Sequence, residues 1–191
     1  MAKTTNIMIV GVGGQGTLLA SRILGNVAIR QGFDVKVSEV HGMSQRGGSV
    51  VTYVKYGQEV ASPIIDKGEA DIILAFERLE AARALPFLKK GGTIILNDRA
   101  IAPMPVITGA AEYPENLVED LSSNANTISL DALELSLQAG SAKAVNVVLI
   151  GVLAKTTDIP EEVWLEVLRG TVPEKFLALN EKAFALGYNA Q

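Results

Sequence analysis

Cysteine is absent from all 191 residues, and that omission removes several kinds of chemistry. No disulfide can form, no thiolate zinc site can be built, and no iron–sulfur cluster can be held by cysteine within this chain. The absence also fits a reducing cytoplasm. Histidine occurs once, at His41, so paired-histidine and Glu-x-x-His metal patterns are missing. No Ser-His-Asp nucleophile elbow is present, and no Walker lysine follows the glycines near the N-terminus. Long apolar runs are lacking too: the uninterrupted stretches fall well short of the roughly 20 residues that span a bilayer. Lys3 followed by Ile7–Val12 has the outline of a signal peptide, but Asn6, the glycines and Gln15 break its apolar core. A soluble, cytoplasmic protein that does not enter a membrane is expected.

Charge is modest and unevenly spread. The formal net charge is −4, which argues against general nucleic-acid binding. Residues 1–50 carry five basic side chains (Lys3, Arg22, Arg30, Lys36, Arg46) against Asp34 and Glu39, whereas the remaining 12 basic and 19 acidic side chains follow. The N-terminal stretch therefore stands at +3 and the rest at −7. An anionic ligand is better matched to the first part.

What is present begins with a strand–turn–helix. Ile7–Val10 is a continuous apolar run of the kind buried on both faces of a parallel sheet. It ends in Gly11, Gly13 and Gly16, the spacing G-x-G-x-x-G, with an extra glycine at Gly14 and Gln15 before the last. Leu19, Ala20, Ile23, Leu24, Val27 and Ala28 then form one helical face, closed by Gly32. Backbone N–H groups at such a turn favour a phosphate or another anion. Glu39, ending the next strand 23 residues after Gly16, stands about where an acid would meet a dinucleotide ribose. The competing reading is a tight turn whose glycines serve only packing and positive φ.

The segments beyond it predict an α/β fold with a mixed sheet. Phe33–Ser38 alternates as a half-buried strand, and Ser49–Tyr56 is rich in β-branched residues. Only about ten residues, without helical period, join these two, so an antiparallel step is expected between them. Asp71–Phe76 and Thr93–Leu96 read as further strands, separated by a helix over 77–88 closed by Lys89-Lys90-Gly91-Gly92. Pro103, Pro105 and Pro114 make 98–115 an extended connector. A short helix over 115–121, a last strand over 127–130 and a helix 132–139 capped by Asp131 follow. The C-terminal third is helical, at about 142–156, 160–169 and 173–187. Val145–Ala154, apolar nearly all round, is expected in the core or an interface. The whole describes a single three-layer α/β/α domain over 1–191, with a Rossmann-like, mixed sheet.

Candidate functional residues concentrate in Glu39-Val-His-Gly-Met-Ser-Gln-Arg-Gly-Gly48. His41 is either a structural hydrogen-bonding residue or a catalyst. Arg46, beside Gly47 and Gly48, either receives a carboxylate, phosphate or partner backbone, or pairs with Glu39 to fasten the loop. Gly42 and Gln45 belong to the same loop. Glu77, at a strand exit, is either a crevice contact or a helix cap; Asn146, polar in an apolar helix, either bonds a neighbouring element or meets a ligand.

A family resemblance narrows these alternatives. Gly-Val-Gly-Gly-Gln-Gly (11–16), Leu-Leu-Ala-Ser-Arg-Ile-Leu (18–24), Val-Ser-Glu-Val-His-Gly-Met-Ser-Gln-Arg-Gly-Gly-Ser-Val (37–50), Ile-Leu-Ala-Phe-Glu (73–77), Thr-Gly-Ala-Ala-Glu-Tyr-Pro (108–114) and Ala-Val-Asn-Val-Val-Leu-Ile-Gly (144–151) resemble the pyruvate/2-ketoisovalerate ferredoxin oxidoreductase gamma-subunit family. The loop His41–Gln45 resembles its indolepyruvate:ferredoxin oxidoreductase beta-subunit branch, where other branches carry a Tyr-Gly-Pro-Glu-x-Arg-Gly-Gly-like sequence. Arg78 departs from a more typical Glu-Pro-Leu-Glu. The resemblance implies one subunit of a heteromeric enzyme that decarboxylates aryl pyruvates oxidatively with coenzyme A and passes electrons to ferredoxin. It places thiamine diphosphate and the iron–sulfur clusters in a larger partner, with no cofactor bound by this chain alone. Free-standing NAD or FAD binding, or a structural or regulatory paralogue, are the competing expectations.

Overall fold

The computed structural model describes residues 4–41, without the His41 side chain, and 48–190. Six strands form one mixed sheet. They are β1 (Thr5–Val12), β2 (Asp34–His41), β3 (Ser49–Gly57), β4 (Ala70–Ala75), β5 (Leu88–Asn97) and β6 (Asn126–Leu130), in spatial order β2-β3-β1-β4-β5-β6. Strands β1, β4, β5 and β6 pair in parallel, while β3 runs antiparallel to both β1 and β2. The short step from β2 to β3 is the reason: too few residues intervene for a parallel crossover.

Helices cover both faces. The helices α1 (Thr17–Arg30), α5 (Ala132–Ala139), α6 (Val145–Lys155), α7 (Glu161–Thr171) and α8 (Leu177–Tyr188) contribute to one core with Ile7, Ile9, Val54 and Leu74 of the sheet. On the opposite face, α2 (Arg78–Ala84) and α4 (Leu117–Asn124) bury Ala81, Ala84 and Leu121 against Met8, Val10, Ile73 and Ile94. Alternation along the strands creates the two cores, because successive side chains point to opposite faces. The expected α/β/α layering is therefore the observed one.

Helix α6 is buried from Asn146 to Ala154. Its backbone touches that of α8: a Cβ on Gly151 would stand 2.2 Å from the Phe184 carbonyl oxygen, and one on Gly187 2.0 Å from that of Val148. Asp131 caps α5 as expected, its carboxylate accepting the Glu134 N–H at 2.9 Å.

Several boundaries differ from the sequence reading. The helix expected over 77–88 ends at Ala84, and residues 85–87 form a tighter turn that contains Pro86. Proline lacks the N–H that another α-helical turn requires. Lys89–Gly92 belongs to β5 rather than to a helix end. There the pairing with β4 shifts register between Ala70 and Ile72, and a Cβ on Gly92 would lie 2.9 Å from the Asp71 carbonyl. Only glycine allows that backbone approach. The connector 98–115 is not wholly extended: α3 (Met104–Ile107) makes one turn, with Pro105 early in the helix, where a missing N–H is tolerated. The helix expected at 115–121 lies at Leu117–Asn124. The first of the C-terminal helices starts at Val145, after a tight turn over Ala142–Ala144.

Candidate ligand and partner site

The glycine turn is held by side chains that the sequence places around it. Gln15 folds back over the turn, its Oε1 accepting the Val12 N–H at 2.6 Å and its Nε2 donating to the Phe76 carbonyl at 3.1 Å. Gly11 leaves room for this, since a Cβ there would meet Gln15 Oε1 at 2.8 Å and Phe76 Cβ at 3.0 Å. Asn97, buried at the end of β5, donates to the same Phe76 carbonyl at 3.1 Å, and its Oδ1 accepts the Ala132 N–H at 3.1 Å. The two amides thus stitch the ends of β1, β4 and β5 to the start of α5. Both are occupied by backbone groups.

Gly16 has φ +86° and a second constraint: a Cβ there would stand 2.6 Å from Asn146 Nδ2. That amide, buried in α6, donates to the Gly16 carbonyl at 3.3 Å, and its Oδ1 accepts the Val147 N–H at 2.9 Å. Asn146 therefore bonds the neighbouring element. Gly14, with φ +99°, has open space where its Cβ would be. No side chain among the described residues caps α1, and its first turn contains no acid. Among the described residues no side chain therefore offsets the positive end of its dipole, although the Leu19 N–H bonds the Gly16 carbonyl at 3.2 Å.

The glycine turn and the end of the Arg-Gly-Gly segment meet in space. Gly13 N–H donates to the Gly48 carbonyl at 2.9 Å, and Val12 pairs with Ser49 across β1 and β3. Ser49 Oγ in turn donates to the buried Glu80 carboxylate at 2.5 Å. The end of the Arg-Gly-Gly segment is thereby fixed beside the glycine turn. Gly42, Gln45, Arg46 and Gly47, together with the side chain of His41, lie outside the described residues.

Glu77 is 1% exposed and fully engaged. One oxygen caps α2 through the Glu80 N–H at 2.9 Å; the other accepts the Ile101 N–H at 3.0 Å and the Tyr113 hydroxyl. It thus anchors the 98–115 connector as well as capping the helix. Burial, and then the hydrogen bond to the Glu77 carboxylate, push the Tyr113 hydroxyl well above its ordinary pKa, so it remains a donor.

Glu39 does not meet the glycine turn as a dinucleotide acid would. Strand β3 lies between β2 and β1, and Glu39 sits opposite Thr52, which sits opposite Ile9. Two strand spacings, about 10 Å, separate its backbone from β1. Val35 and Val37, which share its face, pack towards Gly25 of α1. Among the described residues neither Glu39 Oε2 nor Thr52 Oγ1, both buried, has a hydrogen-bond partner. The spacing Gly11–Gly16 plus Glu39 matches a nucleotide fingerprint on paper, but the sheet order takes its parts apart.

A crevice opens where the sheet offers one. The connection after β1 leaves towards the α1 face and that after β4 towards the α2 face, a switch point at the carboxyl ends of adjacent parallel strands where α/β proteins bind ligands. On the α1 side lies a cleft of about 490 Å³, with walls from Gly14–Gly16, Asn97, Arg99, Leu133, Ala142, Lys143 and Val145. Sequence reasoning named the glycines and Gln15 but missed Asn97, Arg99 and Lys143. The strand exit at Asn97 was the available signal; the convergence with Lys143 needed the fold. Among the described residues no group of three or more histidine, aspartate or glutamate side chains is placed to hold a metal ion, and no helix is long and apolar enough to cross a membrane.

The mixed sheet, the switch-point crevice and the Gly13–Gly48 junction define a Rossmann-like subunit fold in which an inserted antiparallel strand displaces the usual ribose-binding acid. A family profile described as pyruvate ferredoxin/flavodoxin oxidoreductase matches residues 6–190, and the chain belongs to that family. It is 45% identical to "Indolepyruvate oxidoreductase subunit IorB" of Thermococcus kodakarensis, over 98% of this chain and 96% of that one. Its fold is similar to the gamma subunit of a keto/oxoacid ferredoxin oxidoreductase from Geobacter sulfurreducens, with TM-score 0.71 and 25% identity over 96% of each chain. It is also similar to part of the 2-oxoglutarate:ferredoxin oxidoreductase of Magnetococcus marinus, a structure with 2-oxoglutarate, coenzyme A and succinyl-CoA bound. There the TM-score is 0.73 and the identity 21%, over 97% of this chain and 30% of that one.

Proposed function

We propose that this chain is the small subunit, without a redox centre of its own, of a heteromeric indolepyruvate or related aryl-pyruvate:ferredoxin oxidoreductase. The complex decarboxylates the 2-oxoacid oxidatively, forms the coenzyme A thioester and delivers electrons to ferredoxin. Thiamine diphosphate and the iron–sulfur clusters reside in a large partner, and the small chain is inactive alone. The observation that carries this reading is the 45% identity to the indolepyruvate oxidoreductase subunit IorB of Thermococcus kodakarensis over nearly the whole of both chains. The absence of cysteine supports the division of labour. So does the Magnetococcus enzyme, in which this fold accounts for under a third of the chain.

In this reading the Gly11–Gly16 turn and Arg46 face the active-site side of the assembly, where they meet coenzyme A or partner backbone. The test is co-expression with the thiamine-diphosphate subunit and an assay of indolepyruvate- and coenzyme A-dependent ferredoxin reduction. Activity is expected from the pair and not from this chain. Arg46→Ala should lower activity or assembly while leaving the isolated chain folded. A complex that ignores indolepyruvate and other aryl pyruvates would overturn the reading.

A further inference from the structure

A second cleft opens at the opposite end of the sheet, beside the amino ends of the parallel strands. It measures about 450 Å³ and lies among the starts of β1 and β4, the end of β3 and the turn that joins α6 to α7. Strand β1 runs from Thr5, in this cleft, towards the glycine turn roughly 25 Å away. One wall is aromatic: the rings of Phe33 and Tyr56 meet at 5.4 Å, tilted by 45°. Tyr56 is 7% exposed, and Ile72 and Ile159 extend the apolar surface.

The charges in the lining have one sign. Asp71 and Asp158 contribute to it, and among the described residues no lysine, arginine or histidine does. Asp71 is already engaged. Its Oδ2 accepts the Asn6 N–H at 2.8 Å, and its Oδ1 pairs with Lys89, which stands outside the cleft. Asp158 has no ion-pair partner among the described residues. Lys155, the basic residue nearest to it in sequence, stands over the Tyr188 ring at 4.6 Å instead.

Backbone adds to the same field. Helix α6 ends at Thr156, in the cleft, and so brings the negative end of its dipole there. The Thr156 and Thr157 hydroxyls donate back to the Leu153 and Ala154 carbonyls at 2.7 and 2.9 Å, which leaves their oxygens as acceptors. Tyr56 registers the result. Burial raises its pKa most, a hydrogen bond with Thr5 opposes the rise, and the charges of Asp71 and Asp158 add to it.

Aromatic faces, an unpaired carboxylate, hydroxyl acceptors and a helix C-terminus together recognise an organic cation. We infer that this cleft binds a small primary amine, its ammonium group meeting Asp158 and the two threonine hydroxyls and its apolar body lying against Phe33 and Tyr56. An anion of the same shape is disfavoured, because no cation in the lining offsets its charge. The inference does not depend on the proposed function.

Calorimetric titration of the isolated full-length chain with tryptamine tests it, with indole-3-acetate as the same ring system bearing the opposite charge. Tryptamine should bind one to one and indole-3-acetate should not, and the affinity should fall as salt rises. Asp158→Asn should weaken tryptamine binding about 5- to 10-fold, between the effect of an exposed ion pair and that of a charge-assisted hydrogen bond. Phe33→Leu should weaken it about 2- to 10-fold through loss of the ring. Glu115→Gln, which removes an exposed carboxylate near the exit of β5, should leave it unchanged. Asp158 is exposed, so its variant should keep the wild-type Tm, and it decides the question if Phe33→Leu fails to fold. Absence of tryptamine binding by wild type, equal affinity for indole-3-acetate, or equal affinities in Asp158→Asn and Glu115→Gln would each overturn the inference.

Discussion

Substituting Gly16 separates two reasons for glycine at the turn. Gly14 and Gly16 both have positive φ, +99° and +86°, but only Gly16 has a neighbour within 4 Å of its missing Cβ. Gly14→Ala therefore adds backbone strain alone, about 1–2 kcal/mol. Gly16→Ala adds a similar strain and drives a methyl to 2.6 Å from Asn146 Nδ2. Asn146 must then move, breaking its 3.3 Å bond to the Gly16 carbonyl. A buried amide left without a partner costs about 1–3 kcal/mol more. The total for Gly16→Ala is about 2–5 kcal/mol, or roughly 4–20 °C in Tm for a chain of this size, against roughly 2–8 °C for Gly14→Ala. Denaturant and thermal unfolding of the two single variants, Asn146→Ala and the double variant Gly16→Ala/Asn146→Ala supply the check. Removing the amide makes room for the methyl, so the double variant should be at least about 1 kcal/mol more stable than the sum of the singles predicts. Equal losses at Gly14 and Gly16, together with additivity, would show that Asn146 does not constrain the turn.

Four further substitutions probe the frame around the site. Gly151→Ala should cost about 2–4 kcal/mol, because its Cβ would fall 2.2 Å from the Phe184 carbonyl oxygen and force α6 from α8. Gly170→Ala, at an exposed position of α7 with nothing within 4 Å, should instead stabilise by about 0.5–1 kcal/mol through helix propensity. Opposite signs in a denaturant melt are the expected outcome, and matching signs would refute the close helix contact. Glu77→Ala should cost about 3 kcal/mol, since it removes a helix cap and orphans the Ile101 N–H and Tyr113 hydroxyl. Tyr113→Phe should cost about 1–2 kcal/mol and raise protease sensitivity of the 98–115 connector. Unchanged cleavage in both variants would show that Glu77 does not hold that segment.

Much of the frame was legible before the fold was known, and the reason is locality. The apolar run before Gly11, the helical period from Leu19 to Ala28 and the Asp131 cap each depend on residues within a few positions of one another. The antiparallel step between β2 and β3 followed from the length of one connection. One slip in the prediction came from a long-range contact. The Lys89–Gly92 stretch reads as a helix end by composition, yet it pairs with β4 because Gly92 lets two backbones approach.

The sequence alone therefore determined the layer architecture and the family, since period, caps and unusual motifs are written in consecutive residues. Only the tertiary structure decided what those motifs mean together. Strand order inserts β3 between β1 and β2 and so parts Glu39 from the glycines, despite a spacing that suits a nucleotide. The same order brings Gly48 to Gly13, and Arg99 and Lys143 to one cleft. Such meetings depend on which strand lies beside which, a property of the whole sheet that no local stretch of side chains can specify.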